Sequence, residues 1–455
     1  MEKHIKVEDT ILLLDHYGQD SQSLHTSFAR AGFSLPVIVI QENGFLPDDV
    51  MSVYGFFLGD FKEAVGEQAH PRFFNQITVP EYWEIKGSNI SGSVYDLSRQ
   101  RGKIFYAEPA HKRRVRIVDW YDEKGVVRSS DHYNRCGAVF ARTVFNAQGK
   151  KFSKSYFSAR GQEVIVENFV TGDIILNEGK EVRIFHTKTD FIVYFLERAG
   201  FLKSRIFFNS LSTPFFVSNR LTAKEKKDIL FWQEPVREDI PGNMQVIFQG
   251  QASRTATVMV QKKRSYDRLI TLGANPDMTR RMGFLYPFEK ENGHRPKALI
   301  CTNSDRMEHC KEIVQALPQI HFHIAAFTEM SSKLMDMDHF DHVSLYPGVK
   351  QGILDELFKE CDLYLDINYE GEIGSAVRRA FLHNHLIFAF EETIHNRDYT
   401  ADAHIYPANR ADQMIKEIKR AVEDKEAMTQ GLLRQHEAAM AETEEAYQKV
   451  CLCAL

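Results

Sequence analysis

The sequence predicts an α/β fold made of two Rossmann-like domains, with an antiparallel β-meander inserted into the first domain. Apolar strand-like runs alternate with helical patterns near the N-terminus and again after residue 296, which is typical of parallel sheets. Between residues 73 and 184 the pattern changes to short aromatic and β-branched stretches separated by turn signals. A charged segment with glycine and proline, EKENGHRP at 289–296, precedes the second α/β region and predicts a linker.

Length and composition restrict the function classes. The chain has 455 residues, 43% hydrophobic and 26% charged, with a formal net charge of −5. This describes a globular protein of about two to three domains and argues against nucleic acid as its main partner. No apolar run approaches the ~20 residues of a membrane-spanning helix, and the start MEKHIKVEDT lacks the pattern of a signal peptide. We therefore expect a cytoplasmic protein.

Cysteine and histidine spacing gives no sign of a metal site. The chain has six cysteines, and the one close pair, Cys451 and Cys453, lacks partners at zinc-site spacing. None of the 18 histidines belongs to an H-E-x-x-H motif or to a Ser/His/Asp arrangement that spacing alone supports. We expect reduced thiols and no metal.

The N-terminal Rossmann-like domain, assigned to residues 1–72 and 187–288, opens with a βαβ pattern. The segment ILLLDHYGQDSQSLHTSFARAGFSLPVIVI predicts a strand at 11–14, a helix from about Asp20 and a strand at 36–40. The loop after the first strand contains Gly18 alone and not a G-x-G-x-x-G set, so the dinucleotide fingerprint is absent. We expect no cofactor.

The inserted β-meander is assigned to residues 73–186. Gly125, Gly149 and Gly179 supply the turn positions of successive hairpins. Aromatic side chains in the meander serve either the core or a protein interface, where tryptophan and tyrosine are common anchors. The candidate interface residues are Trp83, Trp120 and Tyr121. Since neighbouring residues of a strand point to opposite faces, either Trp120 or Tyr121 should look outward. The basic run HKRRVR at 111–116 fits an exposed strand better than a binding patch.

The C-terminal Rossmann-like domain is assigned to residues 297–410, and a charged helical segment to 411–455. The predicted strands are KALICT, HFHIAAF, VSLYP, LYLDIN and HLIFAF, with a helix at ILDELFKECD. This alternation predicts a parallel sheet.

The segment NYEGEIGSAVRRAF, starting at Asn368, places Glu370 and Arg378 eight residues apart. A retaining sugar-nucleotide transferase needs carboxylates at both places, one for the sugar hydroxyls and one for the ribose hydroxyls. We expect Glu370 to close a strand-to-helix loop and Arg378 to lie two turns along the helix. Arginine has five donors and no acceptor, so Arg378 cannot replace the ribose-binding carboxylate. The register that starts at Glu372 puts Ala380 second and also fails.

A second polar loop, Thr302 to Arg306, follows the first strand of this domain and is expected to open a helix. Such a loop directs backbone N–H groups at phosphate, which would make it a relic of donor binding. The alternative, which we favour, is helix capping by Ser304 or Asp305. The polar residues expected to line an acceptor-binding or vestigial donor cleft are Asn303, Ser304, Asp305, Arg306, Asn368, Glu370, Glu372 and Arg378.

Several segments together resemble a known protein family. They are NGFLPDDV (43–50), DHYNRCGAVFART (131–143), FFNSLSTPFF (207–216), DILFWQE (228–234), PGNMQVIF (241–248), TNSDRME (302–308) and CDLYLDIN (361–368). They are similar to the stabilising, or chaperone, subunit of the peptide O-GlcNAc transferase of the accessory secretion system of Gram-positive bacteria. The similarity runs from about residue 10 to 400, and two Rossmann-like halves with a glutamate-centred loop resemble the GT-B glycosyltransferase architecture.

This resemblance implies a GT-B-like, non-catalytic B subunit. In the family, a related catalytic A subunit binds UDP-GlcNAc and glycosylates serine-rich repeat adhesins before export. The implied partners are therefore the A subunit, in a heterotetramer of two of each, and the adhesin acceptor. The implied location is the cytoplasm, with peripheral association with the cytoplasmic side of the membrane as an option. The alternative is an active retaining GT-B transferase that uses a UDP-sugar and contacts the ribose through another group.

Overall fold

The computed structural model describes residues 9–222 and 227–452, apart from residues 62, 64, 65, 67 and 68 and the side chains of 451 and 452. The segment 1–8, on which the predicted lack of a signal peptide depends, lies outside the described residues, as do 453–455 at the end of the predicted helical segment. The chain divides into two compact units, with the boundary between Met259 and Val260.

The first unit combines a parallel and an antiparallel sheet. Its strands are β1 (Thr10–Leu14), β2 (Val37–Val39), β3 (Val50–Ser52), β4 (Trp83–Gly87), β5 (Ser91–Asp96), β6 (Arg99–Tyr106), β7 (Val115–Tyr121), β8 (Val127–Tyr133), β9 (Val139–Phe145), β10 (Lys151–Phe157), β11 (Glu163–Asn168), β12 (Ile174–Glu178), β13 (Glu181–Phe185), β14 (Arg205–Phe208), β15 (Asp228–Trp232) and β16 (Thr255–Val260). Its helices are α1 (Gln19–Arg30), α2 (Val53–Leu58), α3 (Lys188–Arg198), α4 (Thr213–Arg220) and α5 (Gly242–Phe248).

Within the first unit, the strands of the sheet that contains β1 follow the order β16-β15-β14-β1-β2-β3, and the pairs from β15 to β3 are parallel. Strand β1 is buried along its whole length, as expected for an apolar strand covered on both faces. Helix α1 turns Leu24 and Phe28 inward, and the Phe28 ring stacks on Phe207 of β14 with 5.6 Å between ring centroids. The predicted βαβ opening is therefore β1, α1 and β2.

The antiparallel sheet is the predicted meander, because strands β4 to β13 pair in sequence order. Gly125 and Gly149 turn two of its hairpins with φ of 76° and 72°, a region that favours glycine. One half of the sheet packs on its own core, which includes Val94, Ile104 and Val118.

The other half of the meander is fastened to the helices beside the parallel sheet by Glu167 of β11. Its buried carboxylate accepts hydrogen bonds from Tyr54 of α2 at 2.5 Å and from Tyr156 of β10 at 3.0 Å, and pairs with Lys188 of α3 at 2.9 Å. Burial alone would raise the pKa of Glu167, but Lys188 and the tyrosine hydroxyls outweigh it and hold the pKa below its usual value.

The second unit is built on another parallel sheet. Its elements are α6 (Lys263–Thr271), β17 (Thr279–Arg281), β18 (Lys297–Cys301), α7 (Cys310–Ala316), β19 (His321–Ala325), α8 (Ser332–Met335), β20 (Val343–Tyr346), α9 (Gln351–Glu360), β21 (Leu363–Asp366), α10 (Ala376–Leu382), β22 (Leu386–Phe390), β23 (Ile405–Tyr406), α11 (Ala411–Glu423), α12 (Lys425–Ala438) and α13 (Glu444–Leu452). The order β20-β19-β18-β21-β22-β23, paired in parallel, confirms the predicted sheet.

The segment before β18 is held by Asp362, which lies directly before β21 and whose side chain is fully buried. Its carboxylate pairs with Lys290 and accepts hydrogen bonds from the backbone and Nε of Arg295, both at 2.9 Å. Burial would raise the pKa of Asp362, but these partners hold it well below its usual range. The carboxylate therefore anchors residues 290–295 to the sheet.

Cys301, Cys310 and Cys361 are free and buried, Cys136 is also buried, and burial raises the pKa of Cys301 and Cys310 to about 12. Among the described residues, no helix has the length and apolar character needed to cross a membrane.

Candidate functional site

Two loops of the second unit meet at the carboxyl ends of β18 and β21. The chain builds outward from β18 through β19 and β20, then returns to β21 on the other side and continues through β22 and β23. The strand order thus reverses between β18 and β21, and open α/β sheets bind ligands at such a switch point. Seven of the eight predicted cleft residues lie in the two loops that follow these strands, and the eighth, Arg378, lies in α10.

Asn368 joins the two loops from the inside. Its side chain is buried, and its Oδ1 accepts a hydrogen bond from the Thr302 hydroxyl at 2.9 Å and from the Glu370 backbone at 3.2 Å. Its Nδ2 donates to the Glu370 carbonyl at 3.0 Å. Both ends of the amide are therefore used within the chain, and Asn368 acts as a clamp.

Glu370, the first carboxylate of the motif, faces a cation of the other loop. Arg306 Nη1 lies 3.3 Å from Glu370 Oε1, and both side chains are at least half exposed. The Arg306 guanidinium also lies over the Tyr369 ring, 5.4 Å from its centroid. An exposed pair of this kind contributes ~0–1 kcal/mol, so Glu370 remains open to exchange partners with an arriving ligand.

His395, which the sequence patterns did not indicate, binds the end of β21 and the loop that follows it through its two ring nitrogens. Its Nδ1 lies 2.5 Å from Asp366 Oδ1 at the end of β21, and its Nε2 lies 2.5 Å from the Glu370 carbonyl oxygen. The hydrogen bond to Asp366 raises the pKa of His395 to about 9, so the ring is an imidazolium that donates from both nitrogens at neutral pH.

The prediction that Arg378 lies two turns along a helix was wrong. Gly374 and Ser375 take φ of 57° and 51°, and α10 begins only at Ala376, so Arg378 lies in its first turn. Glu372 Oε1 accepts the Val377 N–H at 2.8 Å, which satisfies a donor that the helix start leaves open. Burial raises the pKa of Glu372. The carboxylate of the second register is thus used as a helix cap.

The predicted capping by Ser304 or Asp305 was also wrong, because α7 begins at Cys310. Ser304 Oγ instead accepts the Arg306 N–H at 3.1 Å, and Asp305 accepts a hydrogen bond from Ser331 at 2.8 Å. Asn303, Ser304 and Asp305 line a cavity of about 220 Å³ with residues of the loop after β19. Ligand pockets commonly measure ~300–1,000 Å³, so this cavity is small for a nucleotide sugar.

The first unit shows the same arrangement at its own switch point, between β1 and β14. Asn209, directly after β14, is buried, and its Oδ1 accepts the Asp15 N–H at 2.9 Å. Its Nδ2 lies 3.0 Å from both Ser21 Oγ and Gln233 Oε1. In both units, an asparagine after the returning strand therefore binds the loop that follows the first strand.

The three predicted interface aromatics lie on the meander as follows. Trp83 and Trp120 pack against the meander core, and Trp120 Nε1 donates to Asp131 at 2.9 Å. A register shift between Trp120 and Tyr121 breaks the simple alternation, and both side chains are half-buried.

Comparison with known proteins places these features in a family. Family models match the chain as the GtfB N-terminal domain (11–57), the GtfB middle domain (83–186), the GtfB third domain (188–272) and the GftB/GlyA-F C-terminal domain (298–435). A protein of Streptococcus gordonii, named UDP-N-acetylglucosamine–peptide N-acetylglucosaminyltransferase stabilizing protein GtfB, is 43% identical over 93% of this chain and 94% of its own length. The chain belongs to the GtfB family.

Two further relatives agree with this assignment. The GtfB stabilizing protein of Streptococcus agalactiae is 42% identical over 97% of this chain and 98% of its own length. The crystal structure of a GtfA/B complex bound to UDP and GlcNAc contains a chain with a TM-score of 0.91 and 42% identity, covering 98% of this chain and 99% of that one. The GT-B-like α/β fold and the family resemblance predicted from the sequence are confirmed.

Within this GtfB-family fold, the switch point of the second unit can do limited chemistry. Of the two glutamates that could serve as the first carboxylate of the motif, Glu370 and Glu372, the second caps a helix, and position 378 carries a cation. Among the described residues, no group of three or more histidine, cysteine, aspartate or glutamate side chains is arranged to hold a metal ion. The arrangement suits hydrogen bonding to polar groups better than binding of a ribose.

Proposed function

We propose that this chain is a non-catalytic subunit that stabilises a UDP-GlcNAc:peptide N-acetylglucosaminyltransferase and helps to bind its acceptor, a serine-rich repeat adhesin glycosylated before export. The observation that carries the proposal is arginine at position 378, beside a loop whose polar groups bind one another. The named role of the relatives as stabilizing proteins supports it.

The proposed lack of catalysis is supported by the charge at position 378 and by the hydrogen bonds within the loop at Glu370. A ribose diol is bound best by an acceptor, and Arg378 offers only donors. Asn368 and His395 fix the Glu370 backbone through its carbonyl and N–H, so a nucleotide would have to displace these bonds. Each lost bond without replacement costs ~1–3 kcal/mol.

Donor binding tests this part of the proposal. Purified full-length chain is incubated with UDP-GlcNAc, and UDP release and binding heat are measured. We expect no UDP release and no binding heat from the wild-type chain, and the same result from the Glu370→Gln variant. A catalytic transferase subunit serves as the positive control. UDP release by the chain that disappears in Glu370→Gln would contradict the proposal.

We propose that the transferase subunit docks on the β13 end of the meander. Val166, Ile175 and Ile184 lie in register on β11, β12 and β13 and form an apolar row on one sheet face. Val182 and Ile184 of β13 are 63% and 58% exposed, and β13 is the last strand of the sheet order. An open strand edge with exposed apolar side chains favours pairing with another chain. The GtfA/B complex of the relatives makes the transferase subunit the expected occupant.

Charge substitution distinguishes this edge from the opposite end of the meander. Val182→Lys with Ile184→Lys should abolish co-elution with the transferase subunit, since two cations would enter an apolar contact. Ile90→Lys, in the exposed turn between β4 and β5, is the matched control and should leave co-elution unchanged. Loss with Ile90→Lys alone would place the interface at the turn between β4 and β5 instead. The mass of the wild-type complex by light scattering tests the proposed heterotetramer of two of each subunit.

Acceptor binding is proposed at the exposed polar groups of the second unit's switch point. A Ser/Thr-rich, disordered polypeptide offers little apolar surface, so each repeat binds weakly and affinity comes from many repeats. The Glu370 carboxylate is half exposed, and its one ion-pair partner among the described residues is the exposed Arg306, so it is available to peptide hydroxyls and amides.

Calorimetry with a multi-repeat Ser/Thr-rich peptide tests this role. Glu370→Ala and Arg378→Ala should weaken peptide binding while the complex with the transferase remains intact. Glu444→Ala, an exposed glutamate at the start of α13, is the control. Unchanged affinity in both variants, with the complex intact, would show that another surface holds the acceptor.

A further inference from the structure

The first unit contains a cavity of about 210 Å³ between the loop that follows β2, helix α2 and the turn between β8 and β9. Its inner wall includes four buried apolar side chains, which are Leu46, Val50, Leu58 and Phe140. Pro47 and Asp60 also line the cavity and are exposed, so they mark its opening to solvent. A molecule can therefore enter from outside and place an apolar part against this wall.

The wall is fixed by contacts between the loop after β2 and the turn between β8 and β9. The Gly44 carbonyl accepts the Arg135 N–H at 2.8 Å, and the Arg135 side chain pairs with Asp48 of the same loop. Gly44 has a φ of 80°, and a Cβ at this position would clash with the Tyr133 carbonyl oxygen. Glycine thus allows the close approach of the two segments, and the cavity is formed within the folded unit.

One carboxylate, that of Glu42, faces this largely apolar space. Glu42 is half-buried, and its Oε1 accepts the Gly44 N–H at 2.6 Å. Its Oε2 lies 3.4 Å from the position that a Cβ would take at Gly55, and among the described residues it forms no hydrogen bond or ion pair. A carboxylate oxygen without a donor is unfavourable beside apolar side chains, so Oε2 favours a ligand that brings one.

The charges around the cavity select the class of ligand. Glu42 and Asp60 are acidic, whereas the one basic residue among the described lining residues, Arg135, is already paired with Asp48. An anion would be repelled, and a purely apolar molecule would leave Glu42 Oε2 unpaired. Because the Gly44 N–H already uses Oε1, the carboxylate suits a single ammonium group better than the planar fork of a guanidinium.

The volume limits the size of the ligand. An engineered apolar cavity of ~150 Å³ binds benzene, so this cavity has room for a hydrocarbon part of about four to six carbon atoms.

We propose that the cavity binds a small organic ammonium ion, with its hydrocarbon part against Val50 and Leu58 and its ammonium group at Glu42. This class includes free alkylamines and the lysine side chain of a polypeptide. The site lies in the first unit and does not depend on the function proposed above.

Ligand-observed NMR with n-butylammonium tests the site in the full-length chain, beside n-butanol and n-butyrate at constant ionic strength. n-Butylammonium should bind in a saturable way and more tightly than n-butanol, and n-butyrate should bind most weakly. Glu42→Gln keeps an acceptor for the Gly44 N–H and should weaken n-butylammonium binding about tenfold, the loss expected for one charge-assisted hydrogen bond. Glu123→Gln, at an exposed glutamate in the turn between β7 and β8, is the matched control and should bind like wild type.

Two comparisons separate ligand binding from a fault in folding. Glu42→Gln should bind n-butanol as wild type does, so that only the preference for the cation disappears. Val50→Phe, which adds volume to the apolar wall, should weaken the binding of both ligands.

A peptide distinguishes the two sources of the ammonium group. Binding of acetyl-alanyl-lysyl-alanine amide would assign the site to a lysine side chain, and binding of n-butylammonium alone would assign it to a free amine. Three results would overturn the proposal: equal binding of n-butanol and n-butylammonium to wild type, wild-type affinity for the cation in Glu42→Gln, or no saturable binding of n-butylammonium.

Discussion

Replacing Glu167 by glutamine should lower the unfolding temperature of the first unit by about 3–16 °C. The carboxylate receives two tyrosine hydroxyls and Lys188 in a buried place. Glutamine keeps one acceptor oxygen but turns an NH₂ group toward the remaining donors. Losing a hydrogen bond to a charged acceptor costs ~1.5–3 kcal/mol. Lys188 is 39% exposed, so its ion pair adds only ~0–1 kcal/mol.

The sum, about 1.5–4 kcal/mol, converts to temperature at about 2–4 °C per kcal/mol for a unit of this size. Thermal unfolding followed by near-ultraviolet circular dichroism reports the tyrosine environment directly. Glu163→Gln, at an exposed glutamate on the same strand, is the matched control and should change the free energy of unfolding by less than about 0.5 kcal/mol.

A double-mutant cycle with Tyr54→Phe assigns the loss to the shared hydrogen bond. The effects of Glu167→Gln and Tyr54→Phe should sum to more than the effect of the double variant, because both remove the same contact. A transition within about 1 °C of wild type for Glu167→Gln would refute the view that this carboxylate fastens the meander.

Three other predictions concern buried polar groups. Because the pKa of His395 is raised to about 9, its protonated ring stabilises residues 367–375. This stabilisation is fully present below pH ~6.5 and is lost as the pH rises through about 9. Amide exchange in that loop, corrected for its intrinsic pH dependence, should therefore accelerate over this range, but show no such step in His395→Asn. Asp362→Asn should destabilise the second unit by ~3–5 kcal/mol, measured by urea titration, whereas the exposed Asp341→Asn should not. Asn209→Ala should cost ~1–3 kcal/mol by leaving the Asp15 N–H unpaired, measured by the same urea titration.

Sequence patterns predicted the sheets well because buried parallel strands such as β1 are continuous apolar runs. They also predicted that residues of the loops at 303–306 and 368–372 come together, since both loops follow strands of one parallel sheet. The helix start was misplaced because an extra turn with positive φ at Gly374 and Ser375 delays it. The Gly-Ser pair was the available signal, as glycine favours that region.

Contacts between residues distant in sequence were not predictable in this way. His395 binds Asp366 and the Glu370 carbonyl from a loop beyond the next strand. Glu167 meets Tyr54 across more than a hundred residues. Hydrophobic periodicity within one segment does not predict such pairs, because they depend on how separate secondary-structure elements pack in the folded chain.

Asn209 and Asn368 hold the loops at the switch point of each parallel sheet with groups of the chain itself, which matters for stability in the cell. A protein that needs a metabolite to complete this region gains stability only when the metabolite is abundant. Here, the asparagine side chains that hold the loops are part of the covalent chain, so their effective concentration never varies. The fold should therefore keep the same shape and lifetime in a starved cell, whose sugar-nucleotide pool is empty, as in a well-fed one.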